Sequence, residues 1–281
     1  MYVDTLLADG FVRIEGAIDP ELCESVVQGR FRAEGWGDDA ASWPVGPVHL
    51  PATATFPLAE VAPRAVEVLE ELVGGVAAAR FSDIPDNLIV NFPNPTHAPQ
   101  SPTQRAADPD GWHKDGDWFR HFLDSPEQGL LGIVLWRDVV DGQGPTCIAP
   151  GSMTPVAELL ASRPDGIDPT ELKDPIGQIL GRCTDIRSVT GTQGTILFAH
   201  PFLVHAASVN TSSTPRVISN TSVMLREPMR FDRSDDAFTD VERATLRLLS
   251  VDRLDFRPTG SRQKVVSERE KRWADETNGA R

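Results

Sequence analysis

A mainly β fold with flanking helices around one core is what this sequence predicts, and three observations lead there. The 281 residues contain no internal repeat, low-complexity tract or second domain, and all-β barrels of this length form single units. Short apolar or alternating runs recur along the chain between Gly-, Pro- and Asp-containing turns, the pattern of strands. Two histidine-bearing stretches, Gly111 to Asp117 and Phe198 to His205, lie far apart in sequence and carry chemistry that belongs together.

Phe11 to Ile14 alternates as a first strand. Asp19-Pro20 then supplies an N-cap and a first-turn proline for a helix with Leu22, Cys23, Val26 and Val27 on one face. Residues 33–56, with Trp36, Trp43 and several prolines, read as loop, and His49 within it as a surface or packing histidine. A second helix is expected over Pro63 to Leu72, stopped by Gly74-Gly75, and a strand over Asn87 to Phe92. Pro93 to Asp110 reads as a mobile loop with a solvated His97, either a lid or a plain connector. Leu130 to Val140 is the longest predicted strand, apolar enough to be buried on both faces. Residues 153–190 read as an insertion, with short helices at Pro155 to Ser162 and near Pro169 to Leu172. Strands then run from Thr195 to Ala199 and from Arg216 through Met224. Thr239 to Glu242 is a capping box for a helix to about Leu249, and another helix is expected over Ser267 to Glu276. The expected organisation is one domain over 1–281, with 239–281 as a helical C-terminal extension.

Charge and cysteine usage narrow the function classes. With 41 acidic and 27 basic residues the chain carries a formal charge of -14, which repels nucleic acid phosphates and anionic headgroups. Neither nucleic acid nor a membrane is expected as a partner. Cys23, Cys147 and Cys183 are odd in number and lack CxxC spacing, so neither a disulfide framework nor a zinc knuckle is suggested. The N-terminus lacks a basic n-region and no apolar run is long enough for a bilayer, so a cytoplasmic location is expected.

In an extended strand His113 and Asp115 point to one face and can offer an imidazole and a carboxylate to one metal ion. A further histidine would complete a set of two His and one carboxylate, which leaves positions open for a chelating cosubstrate and O2 on Fe(II). His200 and His205 are both available, and their odd separation allows only one of them on a given strand face. Asp117 shares the parity of His113, but Gly116 indicates a turn before it. The stretch Trp118-Phe119-Arg120-His121-Phe122 is unusually aromatic and basic. It reads either as substrate-pocket lining, with Trp118, Arg120 and His121 as contacts, or as packing at the rim.

These motifs, in this order, resemble the phytanoyl-CoA dioxygenase family of Fe(II)/2-oxoglutarate oxygenases. The resemblance rests on His113-x-Asp115, on His205 eleven residues before Arg216, and on Asn210 between them. Asp9 to Leu22, Ile133 to Val139 with Gly144-Pro145 and Pro150-Gly151-Ser152, and Gly194 to Phe198 extend it over residues 8–226. Met153 departs from the histidine that many members carry after Pro-Gly-Ser. The resemblance implies a double-stranded β-helix, a cupin-like jelly roll. It further implies Fe(II) held by His113, Asp115 and His205, with 2-oxoglutarate held by Arg216 and flanked by Trp136 and Asn91. His200 is then a core residue. The implied reaction takes a small-molecule substrate and O2, most simply to hydroxylate a small organic acid, an amino acid or a secondary metabolite with release of succinate and CO2. Halogenation is disfavoured because Asp115 fills the position a halide would need, whereas desaturation, epoxidation and ring formation share the same ligands. Two competing readings are a zinc hydrolase, which would give Arg216 no role, and a cupin-like binding or regulatory protein without turnover.

Overall fold

A computed structural model describes residues 1–267 apart from 38, 81, 82 and 95. The helix expected from Ser267 onward therefore lies outside the described residues, Ser267 itself excepted. The strands are β1 (Phe11–Ile14), β2 (Pro47–His49), β3 (Thr55–Pro57), β4 (Asp83–Pro85), β5 (Ile89–Asn91), β6 (Leu130–Leu135), β7 (Thr146–Ala149), β8 (Arg187–Val189), β9 (Ile196–Ala199), β10 (Val204–Ala207) and β11 (Arg216–Val223). The helices are α1 (Val3–Asp9), α2 (Pro20–Ala33), α3 (Leu58–Val61), α4 (Pro63–Val73), α5 (Pro102–Ala106), α6 (Met153–Ala161), α7 (Lys173–Leu180) and α8 (Asp240–Leu248). None of the described helices is long and apolar enough to cross a membrane.

A six-stranded sheet in the order β1-β9-β6-β11-β5-β2 and a three-stranded sheet in the order β10-β7-β8 carry the core, and β3 pairs with β4 separately. Every pairing is antiparallel. This is the mainly β, jelly-roll class with flanking helices. One face of the large sheet is covered by helix: Leu58 of α3 and Leu69 of α4 line a small apolar cavity with Gly132, Val134, Ile196, Phe198 and Val223. The opposite face looks towards the small sheet, where Arg216 of β11 reaches Thr146 of β7.

The helices form for local reasons that tertiary burial completes. Asp19 caps α2 by accepting from the Glu21 amide at 2.7 Å, and Cys23, Val26, Val27 and Phe31 are buried along it. Thr239 and Glu242 close the capping box of α8 as expected. Several elements differ from expectation. The strand beginning at Leu130 ends at Leu135, because the chain then turns to exchange hydrogen bonds between Val139 and Gly191, beyond β8. α7 has an unpromising sequence with Pro175 and Gly177, yet the proline sits in the first turn, where its missing N–H costs no intrahelical bond, and Ile176, Ile179 and Leu180 are buried. Residues expected as loop contain β2, the start of β3, and the five-residue α5, while the N-terminus forms α1 against α8. These pieces are too short for periodicity to reveal them.

Candidate metal centre

His113 does not lie in a long strand. It forms a single antiparallel bridge with His205, each backbone N–H donating to the other's carbonyl at 2.9 and 3.0 Å. The chain then bends at Asp115, and Gly116 follows at φ 112. A Cβ on Gly116 would lie 2.3 Å from the Phe119 ring and 2.8 Å from His121, so only glycine allows this turn to fold back on the aromatic stretch behind it.

The two segments bring one ligand atom each from His113, Asp115 and His205 to within 4.8 Å of one another, an arrangement able to hold a metal ion. His113 Nε2 is 3.2 Å and His205 Nε2 3.7 Å from Asp115 Oδ1. The other ring nitrogens are committed: His113 Nδ1 donates to the Gly111 carbonyl at 2.8 Å and His205 Nδ1 to the Leu203 carbonyl at 3.2 Å. A carbonyl only accepts, so each Nδ1 carries the proton and each Nε2 lone pair faces the site. His205 is 3% exposed and its Nε2 has no hydrogen-bond partner. A buried, unpartnered nitrogen aimed at a carboxylate fits a cation between them.

The electrostatics agree. Burial alone would raise the Asp115 carboxyl, but His205, His113 and Lys114 together hold it well below the usual carboxylate range. Burial, then the charge of His113, pushes His205 down to about 4. For His113 desolvation works in the opposite direction, and the hydrogen bond that the charged ring donates to Asp115 prevails to raise it.

His200, the alternative ligand by sequence, is buried elsewhere. Its Nδ1 accepts from the Phe202 amide at 3.2 Å and its Nε2 meets the Thr245 hydroxyl of α8 at 3.3 Å. Both nitrogens are used, Nδ1 in the turn after β9 and Nε2 in reaching α8, which is a core role.

Arg216 is 1% exposed. Its Nη1 donates to Thr146 Oγ1 at 3.3 Å, its Nε has no partner, and burial pushes the guanidinium down to about 10. No acidic side chain among the described residues pairs with it. A buried cation with open donors and no anion fits an incoming carboxylate. Asn91 stands directly opposite Arg216 in the sheet, with its side-chain amide donating to the Ser208 carbonyl at 2.8 Å. Asn210, fully buried, donates to the Asn91 and Thr214 carbonyls, both at 2.8 Å. These amides tie down the crossing from β10 to β11, which accounts for the length of chain between His205 and Arg216.

Trp136 lies on the opposite face of the sheet from Arg216. It lies beside Val217 and donates from Nε1 to Ser219 Oγ at 2.9 Å, with Phe56 of β3 6.4 Å away. Val217 and Ser219 alternate with Arg216 along β11, so Trp136 occupies the helix-covered face and Arg216 the opposite one. A cosubstrate contact from Trp136 would have to cross the sheet. Trp136→Phe is accordingly expected to leave 2-oxoglutarate affinity within about twofold of wild type while lowering stability by about 1 kcal/mol, the worth of one buried hydrogen bond; isothermal titration and thermal melting check the two halves.

The aromatic stretch is partly wall. His121 is 1% exposed and accepts at Nδ1 from Lys114 Nζ at 3.1 Å, whose other bonds reach Gln128 Oε1 and the Asp115 carbonyl at 3.1 and 3.2 Å. Lys114, pushed down to about 7 by burial, is a supporting residue that the sequence pattern did not single out, although a lysine between two ligand positions is a signal. Arg120 is spent in a two-bond pair with Asp168 at 2.7 and 2.9 Å. Trp118 is half-buried and stacks edge-on against Phe119 at 4.8 Å.

A family model described as Phytanoyl-CoA dioxygenase matches residues 6–218. No curated protein matches the chain. Among solved structures it is similar to the non-heme alpha ketoglutarate dependent carbocyclase SnoK from nogalamycin biosynthesis, at 17% identity and a TM-score of 0.46 over 94% of each chain. It is also similar to EctD from S. alaskensis with 2-oxoglutarate and 5-hydroxyectoine, at 15% identity and a TM-score of 0.40 over 78% of this chain and 73% of that one. A third is HygX from Streptomyces hygroscopicus with nickel and 2-oxoglutarate bound, at 14% identity and a TM-score of 0.40 over 78% and 84%.

Proposed function

The chain belongs to the phytanoyl-CoA dioxygenase family, and from that premise we propose that it is a non-heme iron oxygenase using 2-oxoglutarate, with a small organic acid, amino acid or secondary metabolite as substrate. The observation that carries this reading is the buried, unpartnered Nε2 of His205 facing the Asp115 carboxylate. Bound Fe(II) with 2-oxoglutarate supplies oxidation of a substrate C–H bond by O2, with succinate and CO2 as coproducts. The residues supply the rest. His113 and His205 present neutral Nε2 atoms, and Asp115 stays anionic across the physiological range. Arg216 takes the carboxylate of the cosubstrate that is remote from the metal, with its planar fork oriented by Thr146. The burial of Arg216 keeps water from the guanidinium and strengthens that pairing. Trp118 is assigned to the substrate side, whereas Arg120 and His121 serve better as wall, because their polar atoms already have partners. A zinc hydrolase would leave the buried Arg216 without a role.

Anaerobic addition of Fe(II) and then 2-oxoglutarate is expected to give a visible charge-transfer band. A folded, iron-loaded protein without that band overturns the proposal.

Metal affinity should depend on pH with a definite sign. His113 is held above the ordinary imidazole value and must lose its proton to bind, while His205 and Asp115 are already deprotonated near neutrality. One proton therefore competes per metal, so apparent affinity should fall about tenfold per pH unit as pH drops below the His113 pKa and level off above it. Co(II) titrations across the histidine range check this; a second-order dependence would mean that His205 is charged too.

A further inference from the structure

Helix α5 has no buried residue. Ser101 and Gln104 form a capping box and Pro102 stands in the first turn, so the five-residue helix is set by its caps with only Ala106 packed partly against the core. What the helix presents is Arg105. Its Nε donates to the Ala207 carbonyl at 2.9 Å, Nη1 to the Asp108 carbonyl at 2.8 Å, and Nη2 to the Asp110 carbonyl at 2.6 Å. The guanidinium carbon lies 5.7 Å from the Trp112 ring centre, and Trp112 Nε1 donates back to the Arg105 carbonyl at 3.3 Å. Asp110 and Trp112 lead into His113, and Ala207 follows closely on His205. Apart from the His113–His205 bridge, no β-pairing among the described residues joins these two segments. One residue pair is a weak ladder, free to twist or slip unless something beside it fixes the register.

We propose that Arg105 is a positioning residue of the metal centre: its three-way hydrogen-bonded fork clamps the chain entering His113 to the chain leaving His205 and so sets the spacing of the two Nε2 atoms. This rests on reading those histidines as metal ligands. Two of the carbonyls lie on the loop into His113 and the third on the strand leaving His205, and a planar guanidinium spans both segments as a single ammonium does not.

The test compares Co(II) titrations of wild type, Arg105→Ala and Arg105→Lys by visible absorption, with amide hydrogen exchange at His113 and His205 in the metal-free proteins. Arg105→Ala is expected to weaken Co(II) binding by about 10–100-fold, the cost of losing a group behind the ligands. Amide exchange at both histidines should quicken, Arg105→Lys should fall between, and free guanidinium ion below denaturing concentration should restore part of the affinity to Arg105→Ala. A merely structural role would lower the melting temperature without changing Co(II) affinity and without guanidinium rescue. Equal affinity in wild type and Arg105→Ala overturns the proposal and leaves the metal-site reading standing, whereas a wild type that takes up no Co(II) overturns both.

Discussion

His205→Ala is expected to abolish stoichiometric Fe(II) binding, and with it the 2-oxoglutarate charge-transfer band, while the metal-free protein stays folded. The site has three candidate ligand atoms, and alanine removes the one on the most deeply buried residue. The loss in affinity should exceed the roughly 10–100-fold that changes behind the ligands cost. Stability should change little, because losing the unpartnered Nε2 relieves an unsatisfied buried group while the lost Nδ1 bond to the Leu203 carbonyl and the small cavity cost a comparable amount. His200→Ala is the control that separates the two histidines. It breaks the contacts to the Phe202 amide and Thr245, so it should cost about 1–3 kcal/mol of stability and leave Fe(II) affinity near wild type. Iron binding measured anaerobically beside denaturant melts decides the matter, and a His205→Ala protein that holds iron as wild type does would remove His205 from the metal.

Arg216→Met should move stability and cosubstrate affinity in opposite directions. In the protein without cosubstrate the guanidinium is buried with one hydrogen bond at 3.3 Å and no anion, which is a costly state for a charge. Methionine has a similar length and no charge, so the metal-free variant should be more stable by about 1–4 kcal/mol, as when buried ionic groups are replaced by apolar ones. Affinity for 2-oxoglutarate should fall by at least about 100-fold, since a buried carboxylate without its partner loses roughly 3–5 kcal/mol. Thermal melts and 2-oxoglutarate titrations of the iron-loaded protein give both numbers. A variant that is less stable and binds 2-oxoglutarate normally would show that the guanidinium serves the fold and not the cosubstrate.

The sequence by itself determined the class of fold, the β core with flanking helices, and the small set of residues from which a metal site can be built. His113 and Asp115 are separated by one residue, and a local spacing of that kind survives whatever the rest of the chain does. The capping residues Asp19 and Thr239 are equally local, which is why α2 and α8 begin where composition says they should. Only the tertiary structure decided the rest. Between His200 and His205 parity permits one ligand without saying which; the resemblance favoured His205 by its distance to Arg216, and what only the structure adds is what each ring touches, Thr245 on α8 for one and an open site for the other. Trp136 falls on the side of β11 away from Arg216, because the face a strand residue occupies depends on its register with a partner from a distant part of the chain. Arg105 was invisible for the same reason, its acceptors being backbone carbonyls that carry no side-chain signature. Short-range chemistry is written in residue types, whereas register, sheet face and backbone acceptors exist only once distant segments pair.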